Sequence, residues 1–303
     1  MNAVELSGVT KRFGSLTAVD DLELKVPAGR VYGFIGPNGS GKTTTLRMIM
    51  NIYFPDSGEI RIFGQPLRGA VSDRIGYMPE ERGLYKKMKV GDLLNFYGAL
   101  KNGRNLPTEI DRWLERFDLG EWKNKKIETL SKGMSQKVQF IATIVSQPEL
   151  IILDEPFSGL DPVNMDAIRE TILDLQKEGR TIIFSTHDMN VAERMCDYIF
   201  MIYRGKKVLD DTLETIQDKF GDDTIRVRLA DAQIDLKGIE GITRVNNFGQ
   251  LQEIRTNEHG DPQKILREIL GKTAVRSFEI TRPSLHDIFV RIAGPETMEE
   301  NHA

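Results

Sequence analysis

The chain has 303 residues, 40% hydrophobic and 28% charged, with a formal net charge of −4. That balance excludes disordered and collagen-like classes, allows a sizeable core, and gives no electrostatic drive toward a nucleic-acid backbone, so no nucleic-acid partner is expected. A single cysteine, Cys196, excludes an internal disulfide and makes a reducing compartment the default. No run approaches the roughly 18–20 apolar residues that span a bilayer. The best, Tyr198-Ile199-Phe200-Met201-Ile202-Tyr203, reads as a buried strand. The N-terminus lacks a signal-peptide pattern. Work at a membrane would therefore require docking onto a partner.

In chain order, Ala3-Val4-Glu5-Leu6 and Leu22-Glu23-Leu24-Lys25-Val26 alternate, which predicts a small antiparallel layer. Val31-Tyr32-Gly33-Phe34-Ile35, Leu150-Ile151-Ile152-Leu153 and Thr181-Ile182-Ile183-Phe184 are apolar on both faces, as strands of a helix-covered parallel sheet are. Turns and amphipathic helices follow each, giving βαβ logic. Cys196 reads as a small core residue near the start of a strand. After Gly221-Asp222-Asp223 the texture changes. Period-two alternation over 224–229 precedes a hairpin around Asn246-Asn247-Phe248-Gly249. A helix over 262–270, a strand over 275–280 and a last helix capped by Ser284 complete a small α+β domain of split-βαβ type. Residues 294–303 read as a flexible acidic tail. His259, His286 and His302 lack a chemical context and are expected at the surface.

Two motifs carry chemistry. Gly36-Pro37-Asn38-Gly39-Ser40-Gly41-Lys42-Thr43 fits a phosphate-binding loop, entered by an apolar strand and left by a helix. Its glycines let backbone N–H groups point inward at a helix N-terminus. Lys42 is placed to reach the β- and γ-phosphates, the Thr43 hydroxyl to ligate Mg²⁺, and Thr44 to reach the α-phosphate. Leu150-Ile151-Ile152-Leu153-Asp154-Glu155 is a buried strand ending in two carboxylates, which need a cation or partner there. Asp154 is placed to hold the Mg²⁺ shell and Glu155 to orient and deprotonate a water.

Leu130-Ser131-Lys132-Gly133-Met134, just upstream of that strand, resembles the signature of the ATP-binding subunits of ABC transporters. The resemblance covers residues 3–220, with a helical subdomain at about 90–145, and leaves 221–293 as an accessory domain. It implies a P-loop NTPase core of parallel sheet, antiparallel β layer and helical subdomain, an α/β fold. It also implies ATP and Mg²⁺ as cofactors. By resemblance, Phe13 matches the aromatic that stacks on adenine, the alternative being an ordinary core Phe. Ser158-Gly159-Leu160-Asp161 matches the loop crossing the dimer interface, and His187 the histidine that contacts the γ-phosphate. Ser131 and Gly133 make a second anion site at a helix N-terminus. In the family, that site closes on the ATP of another subunit, in a homodimer or heterodimer. The region of Trp113, Phe117 and Trp122 corresponds to the subdomain that docks a membrane permease, although the aromatics there are more often core. The implied location is the cytoplasmic face of the membrane.

Three residues depart from the family pattern. Lys132 and Met134 stand where Gly and Gln are usual, and Lys132 is placed either beside the phosphate or toward solvent. Glu80, in Tyr77-Met78-Pro79-Glu80-Glu81-Arg82-Gly83-Leu84-Tyr85, stands where Gln is usual. A carboxylate there can also ligate Mg²⁺. This wording, with the added domain, resembles the sodium- and drug-efflux branch. The expected function is ATP hydrolysis driving export through a separate permease. The rivals are a soluble ABC ATPase acting on ribosomes or nucleic acid, and a regulatory nucleotide-binding module of low turnover.

Overall fold

The computed structural model describes residues 1–67, 73–81, 83–102, 106–221, 224–231, 234–257 and 260–294. Arg82, Asp222, Asp223, His259, His302 and the rest of the tail lie outside the described residues. The chain divides into two compact units, Met1–Thr212 and Leu213–Ala303.

In the first unit, β1 (Asn2–Phe13) and β2 (Leu16–Pro27) pair antiparallel. Their alternation buries Val4, Leu6 and Val9 against Leu22, Leu24 and Val26. β3 (Val31–Ile35) leads through the glycine loop into α1 (Lys42–Ile49). β4 (Ser57–Ile62) and β5 (Gln65–Pro66) complete a four-stranded sheet ordered β2-β1-β4-β5. β6 (Ile75–Met78) is followed by a helical segment of α2 (Val90–Asn102), α3 (Pro107–Arg116) and α4 (Lys132–Ile144). Trp113 and Phe117 are buried in its core, as aromatics on an amphipathic helix are expected to be.

β7 (Leu150–Asp154), α5 (Pro162–Lys177), β8 (Thr181–Thr186), α6 (Met189–Met195), β9 (Tyr198–Tyr203) and β10 (Lys206–Thr212) close the unit. The second sheet has the order β10-β9-β3-β8-β7-β6, parallel except where β10 turns back on β9. Alternate residues of β7 face different cores. Leu150 and Ile152 pack with the antiparallel layer and α1, whereas Ile151 and Leu153 pack with the helical segment. Burial on both faces is why these strands are apolar throughout. In this sheet β3 lies between β9 and β8, with β7 next to β8, and a crevice opens at the carboxyl ends of β3, β7 and β8. Cys196 follows α6, its burial raising the thiol pKa. A Cβ on Gly33 would lie 2.5 Å from its sulfur, so the thiol fills the space left by a glycine.

The second unit begins with α7 (Leu213–Phe220), ahead of the change of texture, because this amphipathic helix is tied to the unit's far end. Gln217 Nε2 donates to Pro283 O at 3.1 Å and Arg282 pairs with Asp218 at 2.8 Å. β11 (Thr224–Leu229), β12 (Ile242–Phe248), β13 (Leu251–Thr256), α8 (Pro262–Lys272), β14 (Val275–Thr281) and α9 (Leu285–Ala293) follow. The sheet runs β12-β13-β11-β14, antiparallel throughout. β13, α8 and β14 straddle β11 as a split βαβ unit does, while the β11-to-β12 crossing holds no helix among the described residues. Residues 246–248, expected in the hairpin turn, continue β12 instead. The turn falls at Gly249, whose φ of 80° suits glycine and whose N–H donates to Asn247 Oδ1 at 2.8 Å. Ser284 and Asp287 form a capping box on α9, and His286 is exposed beside it.

Candidate active site

The glycine loop is a cradle that side chains would fill. A Cβ on Gly36 would meet Ile202 O at 2.2 Å, and one on Gly41, whose φ is 111°, would meet Ala18 O at 2.6 Å. The Ser40 hydroxyl is buried in the loop without a hydrogen-bond partner among the described residues. Lys42, buried at the start of α1, donates to Gly36 O at 2.6 Å and Pro37 O at 3.1 Å. Burial holds its pKa below the ordinary lysine range, with Glu155, Asp154 and Glu80 pulling the other way. A loop too tight for side chains therefore ends in a desolvated cation at a helix N-terminus, the chemistry a polyphosphate requires.

Two strand ends meet it, those of β7 and β8. Thr43 Oγ1 donates to Asp154 Oδ1 at 3.2 Å, and Ser185 Oγ of β8 donates to the same oxygen at 2.5 Å. Asp154 Oδ2 is buried with no hydrogen-bond partner among the described residues. An orphaned buried carboxylate oxygen beside a threonine hydroxyl suits a hard cation that shares its shell with phosphates and water. No group of three or more His, Cys, Asp or Glu side chains able to hold a metal occurs among the described residues, so an all-protein cage is not the arrangement present.

Glu155 turns out of β7 with a φ of 49°, in the left-handed region that non-glycine residues seldom occupy. Its backbone N–H is caught by Ser185 Oγ at 2.9 Å. Its carboxylate lies 3.0 Å from His187 Nδ1 through Oε2, and 3.9 Å from Lys42 Nζ through Oε1. Burial raises its pKa, partly offset by His187 and Lys42. A carboxylate so raised and so held can accept a proton from a water.

A cleft of about 530 Å³ opens over these groups. Its walls include Phe13, Asn38, Gly39, Thr44 and Glu80 along with Lys42, Thr43 and Glu155. Phe13 is 43% exposed, edge-on to Tyr53 at 5.4 Å, so its ring is presented to the cleft rather than packed in the core. Ser131, Gly133 and Asp161 do not line this cleft. Ser131 caps α4, accepting from Met134 N–H at 3.2 Å, and Asp161 caps α5, accepting from Asn164 N–H at 3.0 Å. A Cβ on Gly133 would lie 3.0 Å from Asn164 Nδ2, which joins the signature turn to the Asp161 turn. The site residues thus fall into two groups: a phosphate cleft and a separate exposed helix end. Two contributors escaped the sequence reading. Ser185 carried a signal, a hydroxyl two positions before His187, on a strand beside Asp154. Arg204 lines the cleft from the β9–β10 turn, and nothing in the sequence ties that turn to the glycine loop.

The ABC transporter family pattern matches residues 19–158, and the C-terminal domain of DrrA1-3-like ATP-binding proteins matches residues 212–293. An ABC transporter ATP-binding protein of Bacillus subtilis, YhaQ, is 41% identical over 288 residues, covering 94% of this chain and 97% of its own length. The chain belongs to the ATP-binding subunits of ABC transporters. Like the family it is an ATPase. The daunorubicin/doxorubicin resistance ATP-binding protein DrrA of Streptomyces peucetius is 30% identical over 309 residues, 96% of this chain and 92% of that protein. Nod factor export ATP-binding protein I of Rhizobium leguminosarum is 31% identical over 301 residues, covering 97% and 96%. A solved ATP-binding subunit of an ABC transporter superposes with a TM-score of 0.67 at 30% identity, over 72% of this chain and 93% of that one. This α/β ABC fold accounts for the first unit.

Proposed function

We propose that this subunit hydrolyses ATP to drive export through a separate membrane permease, working as a dimer of ATP-binding subunits at the cytoplasmic face of the membrane. The observation that carries the hydrolytic reading is the buried Glu155 carboxylate, held 3.0 Å from His187 and 3.9 Å from Lys42 at the end of the phosphate cleft. Lys42 and the loop amides bind the β- and γ-phosphates. Phe13 offers its face to the adenine. Glu155 takes a proton from the attacking water as the γ-phosphorus–oxygen bond to the leaving diphosphate breaks. His187 orients the Glu155 carboxylate and presents its other ring nitrogen toward the γ-phosphate. Mg²⁺, when bound, neutralises developing charge on the phosphates, and Thr43, Asp154 and Glu80 are the residues that would hold it.

The dimer reading rests on the separation of the two groups. Ser131 and Gly133 sit at the N-terminus of a helix of 13 residues, away from the cleft of their own chain. A helix N-terminus of this kind is an anion site, and facing copies would each supply it to the other's nucleotide. The permease reading rests on a groove between the sheet edge and the helical segment, lined by Met50, Tyr77, Pro79, Leu84, Tyr97 and Ala142. Tyr85 and Phe96 stand exposed near it, in edge contact at 5.8 Å. No helix is long and apolar enough to cross a membrane among the described residues, so a spanning partner supplies the path. The export direction follows the named activities of the drug-resistance and Nod-factor relatives.

The test is Glu155→Gln. Loss of a general base costs roughly 10²–10⁴-fold in turnover. The variant should release phosphate that much more slowly and yet elute as a dimer with ATP and Mg²⁺ in gel filtration. Full turnover would remove Glu155 from its assigned role, and a monomeric elution would remove the dimer.

A further inference from the structure

The second unit takes no part in the proposed ATP chemistry, yet it carries a cleft of its own of about 390 Å³, lined from β11, β12, β13 and α9. Side chains alternate across a strand, so the pairing register settles which of them share a face. Ile225, Ile254 and Val245 stand in one row and pack in the unit's core. The rows on either side point the other way. One holds Thr224, Arg255 and Arg244, and the next holds Arg226, Glu253 and Asn246. Arg244 and Arg255 are therefore directly opposite each other, a like-charge pair that a sheet disfavours. α9 brings Arg291 and His286 to the same cleft. Arg291 is held in place, its Nη1 donating to Phe220 O at 3.2 Å and its guanidinium 6.0 Å from the Phe220 ring.

Two carboxylates line the cleft among the described residues, and each is engaged with a neighbour. Glu253 Oε1 accepts from Arg226 Nε at 2.8 Å. Asp287 Oδ2 closes the capping box, accepting from Ser284 Oγ at 2.5 Å and Ser284 N–H at 3.2 Å. Three guanidinium groups and an imidazole thus face two carboxylates already in use.

We propose that this cleft binds a phosphate monoester, carried by a small metabolite or by a lipid headgroup. A guanidinium fork matches the oxygens of an oxyanion. One fork suffices for a planar carboxylate. A tetrahedral dianion presents oxygens in several directions, and here arginines approach from two strands and a helix. The phosphate sits between Arg244, Arg255 and Arg291, with the group it esterifies against Val290. The volume falls in the range of roughly 300–1,000 Å³ usual for small-molecule sites. A bound dianion also screens Arg244 from Arg255, so occupation stabilises the unit.

The experiment uses the full chain carrying Lys42→Ala, which disables the glycine loop as a competing phosphate site. Calorimetric titration with glycerol 3-phosphate tests the soluble carrier. Co-sedimentation with phosphatidylcholine vesicles, with and without phosphatidic acid, tests the lipid. Binding in either arm is expected, and the arm identifies the carrier. Arg244→Gln or Arg255→Gln in the same background should weaken it by roughly 10–150-fold, the scale of a lost charged hydrogen bond. Arg276→Gln should not, because Arg276 lies on β14 outside the cleft and donates to Gln250. Without ligand, Arg244→Gln should melt no lower than its parent, since it removes a repulsion. The ligand should raise the parent's melting temperature and leave that of Arg244→Gln in place. A merely structural arginine would instead lower the melting temperature with or without ligand. If one arginine variant does not fold, the other carries the test. Absence of binding in both arms overturns the proposal, and so does binding that Arg276→Gln weakens as much as the cleft variants do, which is diffuse charge attraction. Neither result touches the ATPase reading, which rests on the other unit.

Discussion

Replacing Ser185 by Ala removes one hydroxyl and disturbs Asp154 and Glu155 at once. The hydroxyl donates to Asp154 Oδ1 at 2.5 Å and accepts from Glu155 N–H at 2.9 Å, in a site where Ser185 is fully buried. A hydrogen bond to a charged group contributes about 1.5–3 kcal/mol, and an orphaned buried N–H costs about 1–3 kcal/mol. These overlap, because Asp154 keeps its bond from Thr43, and about 3 kcal/mol is the expected loss. For a unit of this size each kcal/mol lowers the melting temperature by about 2–4 °C, so a fall of about 6–12 °C is expected by scanning fluorimetry. The kinetic effect follows from the Glu155 backbone. Its φ of 49° is a strained conformation that the Ser185 bond helps hold. Released from it, the carboxylate relaxes from its place beside His187, and a misplacement of about 1 Å costs roughly 100-fold in turnover. KM for ATP should change little, because the glycine loop and Phe13 do not touch Ser185. A melting temperature within about 2 °C of wild type, the smallest shift that a loss of 1 kcal/mol permits, together with unchanged turnover would refute the view that Ser185 fixes the two carboxylates.

Three further outcomes are expected. Gly41→Ala places a Cβ 2.6 Å from Ala18 O at a φ of 111°, so equilibrium titration with a fluorescent ATP analogue should show affinity reduced by more than about 100-fold, the scale of a few kcal/mol of local strain. Burial raises the Glu155 pKa above its ordinary value of 4.5, so turnover should climb with pH through a value higher than that. The same shift has a sign for stability: between the unfolded and folded values the folded chain binds the extra proton, so this carboxyl's contribution is full below the unfolded value and is lost as pH rises through the folded one. Melting curves of wild type and Glu155→Gln should therefore diverge across that window, with wild type losing more; parallel curves would contradict the raised pKa. Asp161→Ala deletes the cap on α5, with an expected loss of about 1 kcal/mol and about 2–4 °C in melting temperature.

Much of the site was legible because its motifs are local. The glycine loop, the Asp154-Glu155 strand end and His187 each combine an apolar strand with the reactive residue that follows it, so the parallel sheet necessarily brings their ends together. What was not legible is lateral. Ser185 matters because β8 sits beside β7 in register, Asp154 opposite Ser185, and register is not printed in either strand alone. Arg204 reaches the cleft only because Gly205 N–H donates to Ser40 O at 2.9 Å, a contact between residues far apart in the chain. In the second unit the alternation and the helix expected over 262–270 pointed to a split βαβ domain, whereas the order β12-β13-β11-β14 is set by pairing between strands. The turn around 246–249 was placed early because two asparagines are turn formers, yet cross-strand pairing with β13 outweighed that local preference.

Lys132 shows how a departure from one motif can be accommodated by a neighbouring loop that keeps to its own. From sequence its ammonium pointed either to a phosphate or to solvent. In the structure it lies across the loop after β7: a Cβ on Gly159 would stand 2.6 Å from Lys132 Nζ and 3.2 Å from Cε. A side chain at 159 would displace the lysine, and the φ of 67° there also favours glycine. The larger residue in the signature is thus accommodated by the absence of one in the neighbouring loop, while Gly133 stays close to Asn164 beneath. Lys132 and Asn164 then approach the loop from opposite ends of the same turn, one through its stem and one through the Asp161 cap. The signature turn and the Asp161 loop therefore form one exposed surface rather than two motifs, and whatever docks there meets them together.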